Sequence, residues 1–285
     1  MGRIRQGWEL TKKSWSVLRS NRQLFRFPLF AALSALVVTV VAIGPGIFLI
    51  EDGRQVVGGV LTAVGIYVAA FVGTFFGVGL AATADRIFHG EDASFGDGMA
   101  VARSKVGAVA GWAALSALVG VLFALLRQGG SLAEVIIGSL GAAAWSLITF
   151  LAVPVIAIEG LGPVATLRRS ASLFKERWAG QVTGNVAIGG IVLLVGVLPA
   201  LLLIGVGILL WLSDGGGADL AAGAVVALIG IVLLIVSMLI VQAMRGVFGV
   251  ALYRFASSGE VSSGFTEAEL QSAVRSKGGS AASTI

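Results

Sequence analysis

Six stretches of this chain contain no charged residue: 27–50, 55–84, 106–126, 135–158, 178–213 and 220–244. Each is long enough to carry a helix across a hydrocarbon core of about 30 Å, which takes roughly 20 apolar residues. Transmembrane strands would instead show segments of alternating apolar and polar residues. The remaining composition agrees: 57% of the 285 residues are hydrophobic, 12% are charged, and the mean hydropathy is +0.97. A soluble domain carries about twice that share of charge. The expected fold is all-α: a polytopic membrane protein with six transmembrane helices and amphipathic interfacial helices on the cytoplasmic face. The spans fall at about 29–50, 56–82, 106–126, 135–158, 184–212 and 220–245, within a membrane domain covering 1–256, and a flexible cytoplasmic tail follows over 257–285.

The distribution of positive charge sets the orientation. Seven Lys and Arg precede the first span, three lie in the second loop (Arg86, Arg103, Lys105), four in the fourth (Arg168, Arg169, Lys175, Arg177) and four at or after the end of the sixth span; the other loops hold only Arg54 and Arg127. Eighteen against two places both termini in the cytoplasm by the positive-inside rule, and the cell (plasma) membrane is the expected location. The same asymmetry accounts for a pI near 10.1 without a nucleic-acid partner, through attraction to anionic headgroups. The basic, acid-poor N-terminus shares its composition with a mitochondrial presequence, yet it leads straight into a span far longer than a signal-peptide core, so an uncleaved first helix is expected. The chain has no cysteine, which excludes disulfides and thiolate chemistry.

The fourth loop is the most informative. In EGLGPVATLRRSASLFKERWAG (159–180), Val164, Leu167, Ala171, Phe174 and Trp178 recur at helical spacing on one side, while Arg168, Arg169, Ser172, Lys175 and Glu176 face elsewhere. Such a stripe with a basic polar face predicts a helix lying in the membrane interface. Gly160, Gly162 and Pro163 supply the break before it and a proline suited to a first helical turn. The N-terminus repeats the device with Ile4, Trp8, Trp15 and Leu18 among basic residues, and KKSWSVLR (12–19) aligns without gaps on RRSASLFK (168–175). A weaker version precedes the third span, with Phe95, Met99, Ala102 and Val106 at helical spacing, so a threefold repeat of interfacial helix plus hairpin is inferred. Lys12, Lys13, Arg19, Arg168, Arg169 and Lys175 are the candidates for contact with anionic lipid.

The run PVIAIEGLGPVATLRRSASLFKERWAG, together with GWELTKKSWSVLRSNRQLFRFPLF, resembles an uncharacterised family of bacterial six-span membrane proteins, a domain of unknown function. More distantly, it is similar to the helical membrane domain joined to some glycerophosphodiester phosphodiesterases. The resemblance covers most of 1–256 in layout, with its specific motifs confined to these two segments; it implies a multi-span inner-membrane protein and brings no catalytic residues.

Phosphodiester hydrolysis needs a metal cluster of carboxylates and histidines. His89 is the only histidine, and a turn histidine beside Glu91 and Asp92 is ordinarily just solvated. No enzyme, metal or cofactor is therefore expected. The G-x-G-x-x-A of GVGLAA (77–82) lies inside a span with no strand before it, which removes the dinucleotide reading. Helix packing accounts for it better: Gly73 with Gly77, Gly107 with Gly111 and Gly180 with Gly184 form G-x-x-x-G pairs, although 41 glycines make some pairs by chance.

No ionisable residue lies at mid-span, which argues against proton coupling. Tyr67, Thr74, Ser146, Thr149, Asn185 and Ser237 are expected to hydrogen-bond between helices. Asp85, Arg86, Glu159, Gln242 and Arg245 cluster at the cytoplasmic ends of the even-numbered spans, and Arg245 is expected to pair with Asp85 or Glu159, since a hidden charge without a partner is costly. Pro45, Pro154 and Pro199 can kink their spans. The sixth span is expected to run on to Phe255 and protrude. In the tail, Thr266 and Glu269 form a capping box, with Phe265 and Leu270 as a staple, ahead of a short helix over 267–275.

The functional expectation is a non-enzymatic protein engaging the cytoplasmic leaflet, alone, as a homo-oligomer or with a membrane-protein partner. The alternative is a transporter or channel for a lipid or small neutral solute, which would require a polar cavity reaching the midplane.

Overall fold

The computed structural model describes residues 15–126, 141–142, 145–146, 149–178, 197–212, 217–262, 265–267 and 270. Among them every regular element is helical and there is no strand. A first helical segment runs from Arg22 to Glu51 as a short 3₁₀ turn, α1 (Arg26–Val38), a π-type turn over Thr39–Ile43 and α2 (Gly44–Glu51). It is followed by α3 (Gln55–Phe88), α4 (Phe95–Ser104), α5 (Val106–Leu126), α6 (Ala152–Glu159), α7 (Pro163–Trp178), α8 (Leu198–Trp211) and α9 (Gly217–Ser258). Among the described residues four helices are long and apolar enough to cross a membrane: Arg22–Glu51, Gln55–Phe88, Val106–Phe123 and Ala221–Ser258. Leu198–Trp211 is a shorter apolar helix. Of the expected fourth and fifth spans, 135–140 and 184–196 lie outside the described residues.

The chain divides into two compact units, one of 21–180 with 246–263, the other of 1–20 with 181–245 and 264–285. In the larger unit α2 and α3 form a hairpin whose backbones approach closely at glycines. A Cβ on Gly58 would stand 2.7 Å from Ile50 N, one on Gly46 2.8 Å from Thr62 N, and one on Gly65 2.7 Å from Ile43 Cγ1. Small residues permit this backbone approach, the usual means of association where burial of apolar surface gives no drive between helices. In the smaller unit α8 and α9 repeat the arrangement. Gly223 faces Gly207 O at 2.7 Å and Gly230 faces Ile204 N at 2.8 Å, both measured to a built Cβ.

The glycines that make these contacts differ from those the spacing singled out. Gly73 and Gly107 have nothing within 4 Å of a built Cβ, whereas Gly77 meets Val153 at 3.4 Å and Gly111 meets Pro163 at 3.0 Å. Gly180 and Gly184 lie outside the described residues. The span hydroxyls also behave differently from expectation. Thr74, Thr149 and Ser237 each donate to the carbonyl four residues earlier in their own helix, at 2.8, 2.7 and 2.7 Å. A hydroxyl satisfied in this way needs no partner helix. Tyr67 reaches another helix, at 3.5 Å from Ala110 O; Asn185 is outside the described residues.

Pro45 and Pro199 occupy the first turn of α2 and α8, and Pro154 lies three residues into α6. At Pro154 the missing N–H costs little, because first-turn amides have no intrahelical acceptor. Pro45 instead follows directly on the π-type turn Thr39–Ile43 inside the segment Arg22–Glu51, where the helical hydrogen-bond ladder is already altered. One face of α4 packs inward: Gly98 and Ala102 are buried, a Cβ on Gly79 would stand 3.3 Å from Gly98 O, and Phe95 lies 4.6 Å from Phe27 between ring centroids. Ser94 begins α4 with a reciprocal cap. Its hydroxyl accepts from Asp97 N, and the Asp97 carboxylate accepts from Ser94 N at 2.8 Å. In the tail, Leu270 N donates to Thr266 O at 3.1 Å, closing one helical turn, and Phe265 and Leu270 are buried; Glu269 and 271–275 lie outside the described residues.

Candidate functional site: the polar ends of α3, α6 and α9

The larger unit brings together the C-terminal ends of α3, α6 and α9, together with α7 and the turn before α4. α9 does not protrude. It runs to Ser258, and every residue from Val247 to Ala256 is buried. Packing against α3 and α6 explains this: Gly246 seats the Leu80 side chain, Phe248 lies 6.3 Å from Phe150 between ring centroids, and Gly249 faces Pro154.

Two consecutive residues of this segment reach two carboxylates on two other helices. Tyr253, 5% exposed, donates its hydroxyl to Glu159 Oε1 at 2.7 Å. Arg254, also 5% exposed, places Nη1 3.4 Å from Asp85 Oδ1 and Nη2 2.8 Å from Glu260 Oε2. His89 Nδ1 lies 2.7 Å from Arg254 Nη1 and 2.8 Å from Asp85 O. Gly259, at φ +75°, ends α9 in a left-handed conformation that turns the chain so that Glu260 folds back onto Arg254.

Glu159 ends α6 and receives a second donor. Arg169 Nε of α7 lies 2.9 Å from the same Oε1, and this hydrogen bond raises the guanidinium's pKa above its ordinary value. Gly160, at φ +69°, caps α6 by donating to Ile156 O at 3.1 Å. Lys105 Nζ donates to Ala157 O at 2.6 Å and Ile158 O at 3.2 Å, so a cation sits on the negative end of the helix. Burial lowers the Lys105 pKa from its ordinary value.

Asp85 and Glu159 both belong to this set of contacts. The cation facing Asp85 is Arg254, while Arg245 is exposed on the same helix. The nine-residue offset follows from the continuation of α9, which puts Arg254 about 13 Å further along the axis at roughly 1.5 Å per residue. The signal was present in the sequence: VFGVALYRFA is apolar on all sides of one arginine, and a helix apolar all round is a buried one. The Ser94–Asp97 cap was legible too, as S-x-x-D before an apolar run.

α7 has three faces. Thr166, Ser170, Leu173 and Phe174 are buried, so Phe174 belongs to the docked side and not to the outward apolar stripe. Val164, 56% exposed, leads the outward apolar edge, with Leu167 and Ala171 half-buried along it. Arg168 and Lys175 lie exposed beside that edge, about 10 Å apart along the axis. Of the other lipid-contact candidates, Arg169 is committed to Glu159, Arg19 is exposed, and Lys12 and Lys13 lie outside the described residues. Among the described residues no group of three or more histidine and acidic side chains is arranged to hold a metal.

The architecture is that of an all-helical protein whose longest helices are of membrane-crossing length and composition. The family model for the family of unknown function DUF6159 matches residues 56–265, and the chain belongs to that family. No curated protein and no solved structure matches it.

Proposed function

We propose that this is a non-enzymatic plasma-membrane protein of six spans, with both termini cytoplasmic, that engages the anionic cytoplasmic leaflet through α7. The observation that carries the reading is the division of α7 into three faces. One side is buried in the bundle, and the outward side sets an apolar edge against an exposed basic pair, Arg168 and Lys175. A helix docked in this way has its depth fixed by the protein, so its apolar edge meets acyl chains while the cations meet phosphates. The transport reading has less support, because Thr74, Thr149 and Ser237 turn their hydroxyls to their own helices and not toward a shared path. The distant likeness to a phosphodiesterase-linked membrane domain adds no catalytic residue.

Native mass spectrometry of the full chain, extracted gently from a membrane containing phosphatidylglycerol, tests the proposal. A bound anionic lipid at defined stoichiometry, lost in Arg168→Gln/Lys175→Gln, is the expected result. Retention by that variant equal to the unaltered protein would reduce α7 to a structural helix.

A further inference from the structure

One oxygen atom, Glu159 Oε1, accepts from two helices at once: Arg169 Nε of α7 at 2.9 Å and Tyr253 O–H of α9 at 2.7 Å. The exposure of the three groups is graded. The side chains of Arg169 and Glu159 are 36% and 23% exposed, whereas Tyr253 is 5% exposed and followed by the equally buried Arg254. Resting on the reading of α7 as the headgroup-facing helix, we propose that Glu159 is a relay through which anionic headgroup binding on α7 controls how firmly the end of α9 is held.

The relay works by exchange of partners. Arg169 adjoins Arg168 on α7, so a phosphate drawn to Arg168 and Lys175 comes within reach of the Arg169 guanidinium. Phosphate oxygens match the guanidinium fork as well as a carboxylate does, and they can take Arg169 from Glu159. Glu159 is then a partly buried carboxylate with Tyr253 as its remaining donor. A buried charge that loses its compensating cation moves toward water or draws its surroundings after it. Because Tyr253 and Arg254 are adjacent, any shift of the first is felt by the second and by its partners Asp85, His89 and Glu260. The bound and free forms differ in identified contacts, the condition for a ligand to shift an equilibrium. Linkage then requires the reverse effect: loosening Glu159 must tighten lipid binding.

The test uses the full chain in nanodiscs of phosphatidylcholine, with and without phosphatidylglycerol. Lipid retention is followed by native mass spectrometry and backbone protection over 253–262 by hydrogen exchange. In the unaltered protein, phosphatidylglycerol is expected to be retained and to raise exchange in that segment several-fold. Glu159→Gln, which frees Arg169, is expected to retain the lipid more strongly. The charge-neutral Tyr253→Phe, which leaves Glu159 no side-chain donor among the described residues but Arg169, is expected to retain it less strongly. Both are expected to lose the lipid-dependent change. Tyr253→Phe separates the relay from simple removal of a negative charge. Retention of phosphatidylglycerol with unchanged exchange over 253–262 overturns the relay and leaves headgroup binding standing. No retention by the unaltered protein overturns both, and neither outcome depends on a variant folding.

Discussion

Between Ala221 and Arg245 the long helix α9 exposes Val225, Leu228, Ile229, Val232 and Ile235 and packs on α8 through Gly223, Ala227 and Gly230; from Val247 to Ala256 it is wholly buried and held by Tyr253 and Arg254. The first stretch associates by backbone proximity and needs no polar contact. The second is fixed by directional bonds to carboxylates on two other helices. The contrast follows from the surroundings each stretch is built for. Between apolar helices in hydrocarbon there is no hydrophobic gain, so close packing of small residues carries the contact. Where helix ends approach water, charges can be used, and once used they are buried only as matched sets.

The strongest way to break this contrast is to remove the cation from the second stretch. Arg254→Met leaves Asp85 without its facing guanidinium and is expected to cost about 3–5 kcal/mol, the usual penalty for breaking a buried pair from one side. Arg245→Ala, on the exposed part of the same helix, is expected to stay within about 0.5 kcal/mol. Thermal unfolding in detergent measures both. Equal midpoints for the two variants would show that the two stretches are not held differently. Adding Asp85→Asn to Arg254→Met should recover part of the loss, since the stranded charge goes with it.

A smaller effect is expected from the glycine contacts. Gly58→Leu and Gly223→Leu drive a side chain into Ile50 N and Gly207 O, each 2.7 Å from the built Cβ, and are expected to cost about 1–3 kcal/mol by overpacking. Gly59, the neighbour of Gly58, has nothing within 4 Å, so Gly59→Leu should be neutral or stabilising by up to about 1 kcal/mol through helix propensity. A loss at Gly59 as large as that at Gly58 would mean that backbone entropy, and not contact, sets the outcome.

These pairs also show what could be read from the sequence. Charge-free length picks out the four long apolar helices seen among the described residues, because a run that excludes every ionisable group is a property of composition. The break at Gly160 to Pro163 was legible for a similar reason: two glycines and a proline permit few alternatives. Which glycines touch was not legible, since G-x-x-x-G spacing fixes a face of one helix without naming what lies opposite it. Gly46 and Gly58 meet across a hairpin at no constant spacing. The site is half legible. Asp85 and Glu159 stand out as charges at span ends, and the apolar pattern carries the sixth helix on to Phe255, but the sequence pairs Arg245 with them where the cation facing Asp85 is Arg254. Hydropathy extends the helix and does not say that its end is packed against others.

The mildest expected effect lies at the start of α4, where the capping box is exposed and so provides a reference against the buried network. The Ser94 hydroxyl and backbone N–H both donate to the Asp97 carboxylate and hold its pKa below the ordinary value. A carboxylate whose pKa is lowered on folding contributes its stabilisation in full above the unfolded value of about 3.9. It loses that contribution as pH falls through the lower folded value. Asp97→Asn should therefore lower the unfolding midpoint slightly near neutral pH, and its curve should converge on that of the unaltered protein in acid. Ser94→Ala should behave alike, because it removes the hydroxyl from the other half of the box. Parallel curves from neutral to strongly acid pH would assign the cap to geometry alone and leave the ordering of α4 to Phe95 against Phe27 and to Gly98 against Gly79.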